Sequence, residues 1–163
     1  MEVVATFLMV CSALCLMPIL VKGAISDIKT RRFPKAYWDS LLVNLGGIIT
    51  IIFYLYAIAE GYWFTVTLLL ILSASCMLLF NYLGLAFGSG GDWRALIYIS
   101  AVCPFFIVQT VLFSLLASLP MVVYETLKQS DNLEPVLFRT VPFAVAILGG
   151  LIMAILCNIA FGI

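Results

Sequence analysis

The chain has 163 residues, of which 65% are hydrophobic and 10% charged, with a mean hydropathy of +1.23. Soluble domains carry about 25% charged residues, so this composition excludes an ordinary water-soluble fold and reads as one integral membrane domain, residues 1–163, with the lipid bilayer as its solvent. Eight basic residues balance eight acidic ones and histidine is absent, which argues against nucleic-acid binding and removes histidine-based acid–base chemistry and histidine metal sites.

A membrane-crossing helix needs about 20 apolar residues. The first such run extends from Val3 to about Ser26, with Pro18 as an expected bend. It follows Glu2 rather than a basic segment and ends without a clean small-residue cleavage site, so it is expected to be a retained span, not a removed leader. Lys29, Arg31, Arg32 and Lys35 follow, and Phe33-Pro34 turns the chain toward the next helix. The second span is expected from Ser40 to about Ala59, with Asp39 favourably placed at its start, and the third from Trp63 to about Ala86. Gly88-Ser89-Gly90-Gly91 then reads as a loop. The stretch from Ala95 to Tyr124 is uncharged and too long for one simple span. Pro104 divides it into a short helix, about Asp92 to Cys103, and a full one, about Phe105 to Glu125. A polar connection, Leu127 to Arg139, leads to the last span, Thr140 to Ile163. The expected fold is all-α: a polytopic membrane protein of about six helices, one of them short and following the glycine-rich loop.

Cys11, Cys15, Cys76, Cys103 and Cys157 all lie in apolar stretches with no CxxC pair. They read as small buried hydrophobes, and neither a metal nor another cofactor is expected. The glycine pairs Gly46-Gly47 and Gly149-Gly150 are small-residue packing features of membrane helices, compatible with a homo-oligomer.

Basic residues in short loops mark the cytosolic side. Placing Lys29, Arg31, Arg32 and Lys35 there also brings Arg94, Lys128 and Arg139 to that side, provided the short helix and its successor go out and return. The loop near Glu60 then faces outward and carries no basic residue. Arg94 and the Lys29, Arg31 and Arg32 cluster are candidates for interface contacts, including lipid head groups.

The same topology brings Asp27 and Asp92 to one side. An acid at the edge of a membrane span is costly and points to function. Two carboxylates that share a water and one proton can hydrolyse a peptide bond without a metal, because like charges at close range hold one group ionised and its partner protonated. Glycine around Asp92 would let a substrate backbone approach closely. An N-terminal helix position would favour its ionised form. Glu125, Asp131 and Glu134 read as solvated charges of a polar connection.

These residues resemble the prepilin peptidases, the GxGD-type membrane aspartyl proteases, and in size the short form associated with Flp/Tad-type pili; archaeal preflagellin peptidases are near relatives. Asp27-Ile28-Lys29-Thr30-Arg31-Arg32-Phe33-Pro34 is similar to the family's Asp, basic stretch, hydrophobic residue and Pro. Gly88-Ser89-Gly90-Gly91-Asp92-Trp93-Arg94 is similar to its glycine-rich run and second Asp, and Val141-Pro142-Phe143-Ala144 is a weaker third match. The chain departs from the pattern at Ser89, where the tetrad has its first glycine, at Lys35 in place of Asn, and at Arg94 in place of Lys. The resemblance implies catalytic Asp27 and Asp92, a substrate-binding loop at Gly88, Ser89, Gly90 and Gly91, and removal of a short leader from a prepilin-like or preflagellin-like membrane protein. The cleavage site would face the cytosol of a bacterial inner or archaeal cytoplasmic membrane. No methyltransferase activity is implied, since the cysteine pairs of the longer members are missing. The alternative reading is a non-enzymatic membrane scaffold, assembly factor or transporter subunit whose acids serve packing or ion passage.

Overall fold

A computed structural model of the chain describes residues 2–30, 40–87, 90–128 and 143–161. They form α1 (Glu2–Thr30), α2 (Leu41–Ala59), α3 (Trp63–Phe87), α4 (Gly90–Val102), a 3-10 turn (Pro104–Phe106), α5 (Ile107–Lys128) and α6 (Phe143–Phe161), with no strand among the described residues. Four segments, Val3–Lys29, Leu41–Ala59, Trp63–Leu85 and Pro104–Val123, are long and apolar enough to cross a membrane, while Trp93–Val102 and Ala144–Ala160 are shorter. The chain is an all-α, multi-pass membrane protein.

Most boundaries fall within a few residues of the sequence expectation. α1 runs on to Thr30 instead of ending near Ser26, because no helix breaker intervenes before Pro34. Gly90 and Gly91, expected in a loop, instead open α4. α6 begins at Phe143 rather than Thr140. Between α2 and α3 the turn is tight. Gly61, at φ +87°, donates its N–H to Ile58 O, and Tyr62 N–H donates to Ala57 O. This pair of bonds closes a helix C-terminus around a left-handed residue, a conformation glycine adopts without steric cost.

The contacts fix the helix directions. α1 and α2 are antiparallel, since Gly46 lies against Ser12 and Cys15 while Phe53 and Ala57 pack with Ala5, Leu8 and Met9. α3 and α4 are antiparallel too: Ser73 Oγ donates to Ser100 O at 2.7 Å, and Phe80 stacks on Trp93 with ring centres 6.4 Å apart. α6 starts beside the end of α1 and runs back along it. Phe105 packs on Phe53 at 4.6 Å, toward the far end of the bundle, before α5 returns along α6 with Thr110 and Ser114 against Gly150. α4 and α5 thus go out and come back. Leu16, Leu20, Ile99, Phe106, Ile107, Ile147 and Leu151 form the core where α1, α4, α5 and α6 meet. Leu68, Ile71, Leu78, Leu79 and Leu85 on α3 remain exposed, as lipid-facing side chains do.

The break between α4 and α5 leaves carbonyls without their helical donors. Ser100 O would normally receive the N–H four residues on, but that residue is Pro104, which has none. Ser73 Oγ of α3 supplies the missing hydrogen. Val102 O is left open because Phe106 N–H donates to Cys103 O. Thr50 Oγ1 of α2 donates to it, while also lying 3.1 Å from Gly46 O. In hydrocarbon an unsatisfied carbonyl costs more than in water. Ser73→Ala and Thr50→Val are therefore each expected to lower stability by about 1 kcal/mol. Denaturation in detergent checks this, with Thr67→Val as control. Thr67 is exposed, and its hydroxyl only bonds back to Trp63 O within its own helix.

Candidate active site

The buried positions of α1 are Ser12, Ala13, Leu16, Ile19, Leu20, Gly23, Ala24 and Asp27. They recur at intervals of three and four, the spacing of one helix face. Asp27 is the last member of this row and is only 8% exposed. Lys22, Lys29 and Glu60 are exposed and Arg94 is half-buried, so among the described side chains Asp27 is the buried charge. A carboxylate in a packed seam needs hydrogen-bond donors. One comes from α6: the N–H of buried Ala144 donates to Asp27 Oδ2 at 3.4 Å. Ala144 is the second residue of α6, within the first turn, whose N–H groups have no helical acceptors. The partial positive charge of that helix end also suits a carboxylate.

Asp92 stands third in α4, in the first turn of a second helix. Its side chain is outside the described set, as are Gly88 and Ser89 altogether. The backbone sets its level. A Cβ built on Gly46 would meet Val102 Cγ1 at 2.6 Å and Cys15 Cβ at 3.2 Å, so Val102 of α4 and Cys15 of α1 sit at one height. From there the antiparallel helices run to the same end of the bundle. Twelve positions separate Cys15 from Asp27 and ten separate Val102 from Asp92. At 1.5 Å per residue these are about 18 and about 15 Å, a difference of about two residues. Ala95, Leu96 and Ile99 form the buried face of α4.

Three helix ends therefore gather at one end of the bundle: the C-terminus of α1 and the N-termini of α4 and α6. Trp93 anchors the start of α4 through Phe80, and a Cβ on Gly84 would lie 3.2 Å from Trp93 Cβ. Among the proposed interface cations, Lys29 is exposed, Arg94 half-buried, and Arg31 and Arg32 lie outside the described residues. So do Lys35, Asp39, Asp131, Glu134 and Arg139, and the side chains of Glu125 and Lys128. No group of three or more Cys, Asp or Glu side chains suited to a metal occurs among the described residues.

The sequence singled out Asp27 and Asp92 but not the donor that meets Asp27. Its one signal was the third short match, Val141-Pro142-Phe143-Ala144, whose last residue touches Asp27; Val141 and Pro142 are outside the described residues. No family model matches the chain, and no curated protein or solved structure does either.

Proposed function

We propose that the chain is a membrane aspartic endopeptidase of prepilin peptidase type, removing a short leader from a prepilin-like or preflagellin-like membrane protein. The observation that carries this reading is a buried acid, Asp27, on the packed face of α1 at the level of the α4 turn that holds Asp92. Burying a carboxylate carries a desolvation cost that an apolar side chain in the same seam would not. The basic residues at the same end support a cytosolic site in a bacterial inner or archaeal cytoplasmic membrane.

In this mechanism Asp27 and Asp92 share a water and one proton. The ionised carboxylate takes a proton from the water as its oxygen attacks the scissile carbonyl carbon. The protonated partner donates to the carbonyl oxygen. In the tetrahedral intermediate a proton passes to the leaving nitrogen and the C–N bond breaks, giving a carboxylic acid and an amine. The N–H groups of the first turn of α4, including those of Gly90 and Gly91, have no acceptor within their own helix and suit the carbonyl oxygens of an extended substrate strand. The substrate's own apolar helix would lie in the bilayer beside the bundle.

The contact between Asp27 and Ala144 favours a second reading, in which Asp27 only docks α6 in a non-enzymatic scaffold. Co-expression with the pilin-like protein encoded nearest this gene separates the two. The expected result is a smaller, leader-free product that appears only with this chain. An uncleaved substrate, with both proteins inserted, would leave the scaffold reading.

A further inference from the structure

We infer that the backbone N–H of Ala144 is a positioning group for Asp27, making the start of α6 a third component of the site beside α1 and α4. The catalytic part of this inference rests on the endopeptidase reading; the contact itself does not.

Asp27 ends a helix face whose other lower members, Gly23 and Ala24, are small, and Ala144 opposite is small and fully buried. Small residues let two membrane helices approach until a backbone group of one reaches a side chain of the other. The donor is held from behind. α6 is pinned against α5 at Gly150, where an added Cβ would meet Thr110 O at 2.5 Å and Ser114 N at 2.9 Å. The amide therefore has little freedom to follow Asp27, and Asp27 has to meet it. At 3.4 Å the bond is long for N–H···O. Hydrogen bonds in substrate-free sites often tighten only when the reacting complex forms. A fixed donor on Oδ2 selects one rotamer of Asp27 and so sets the direction from which the carboxylate faces a shared water. A displacement of about 1 Å in such a group can cost up to about a hundredfold in rate.

The experiment replaces Ala144 with lactic acid, its α-hydroxy analogue. This turns the amide into an ester and deletes the N–H while keeping the methyl group. The same replacement by the matching hydroxy acid at Met153, a lipid-exposed position of α6, controls for the general cost of an ester. Two readouts are taken. With substrate, the Ala144 ester is expected to lower kcat by about tenfold or more at nearly unchanged KM, and the Met153 ester to change neither. Without substrate, the Ala144 ester is expected to lower the thermal midpoint of the wild-type chain but not that of Asp27→Ala, in which the acceptor is already gone. Equal midpoint losses in both backgrounds would overturn the contact. A kcat matching the Met153 control in a cleaving enzyme would overturn the positioning role and leave the endopeptidase intact. Should the wild-type chain cleave nothing, the endopeptidase reading and the catalytic role fall together, and the midpoints alone decide whether the amide holds Asp27.

Discussion

Asp27→Asn and Asp92→Asn are each expected to lower leader cleavage by about 10²–10⁴-fold, the range for removing a positioned acid or base, with membrane insertion unchanged. Asparagine keeps the shape of aspartate and a carbonyl oxygen that can still accept the Ala144 N–H. It cannot carry the shared proton. For Asp27 the two roles should therefore separate. Asp27→Asn should melt within about 2 °C of wild type, whereas Asp27→Ala should lose both cleavage and part of its stability. The double variant Asp27→Asn with Asp92→Asn should be no slower than either single one, because residues acting as a unit are not additive. The measurement is a size shift of co-expressed substrate at matched expression, with melting followed on purified protein. Turnover retained in either single variant would remove the paired-carboxylate mechanism. Full activity in Asp27→Asn with loss confined to Asp27→Ala, which lacks the acceptor for the Ala144 N–H, would assign Asp27 to the docking of α6.

Helix number and approximate extent were legible because each follows from local terms. Apolar run length sets the spans, and Pro104 divides the fourth run by removing a backbone donor. The burial of Asp27 was not read from the sequence, which marked it only as an acid at the edge of a span; in the structure it follows Gly23 and Ala24 at intervals of four and three on a row that runs up to Leu20 and Leu16. What could not be read locally were the partners. Asp27 and its donor Ala144 are 117 positions apart, and no periodicity links them. Ser73 and Thr50 look like isolated hydroxyls in apolar runs until the fold sets them against Ser100 O and Val102 O. Gly90 and Gly91 misled for a different reason. Glycine is a poor helix former in an exposed interior, with a penalty of about 1 kcal/mol per residue, so a run of glycines reads as a loop. That penalty applies to a helix interior, whereas Gly90 and Gly91 are the first two residues of α4.

Gly149 and Gly150 are adjacent on α6, yet substitution should separate them sharply. Replacing glycine by leucine within a helix gains about 0.8–1 kcal/mol of intrinsic propensity. At Gly149 nothing lies within 4 Å of an added Cβ, so Gly149→Leu should be neutral or slightly stabilising. At Gly150 the Cβ would meet the Ser114 hydroxyl and, more decisively, backbone atoms of α5 at 2.5 and 2.9 Å. A side chain can rotate away; a helix backbone can yield only by moving the whole helix. Overpacking of this kind costs about 1–3 kcal/mol and more where backbone is displaced, which exceeds the propensity gain. Gly150→Leu is accordingly expected to lose about 2 kcal/mol or more in detergent unfolding, and Gly150→Ala a smaller amount in the same direction. The consequence extends to the site. Ala144 lies six residues from Gly150, less than two helical turns, so pushing α6 off α5 moves the amide that meets Asp27. Gly150→Ala, the milder change, should retain substrate binding while kcat falls, and Gly149→Ala should leave both unchanged. Equal stability and equal turnover in the two alanine variants would mean that α5 does not hold α6 in place, and that the start of α6 is positioned by α1 alone.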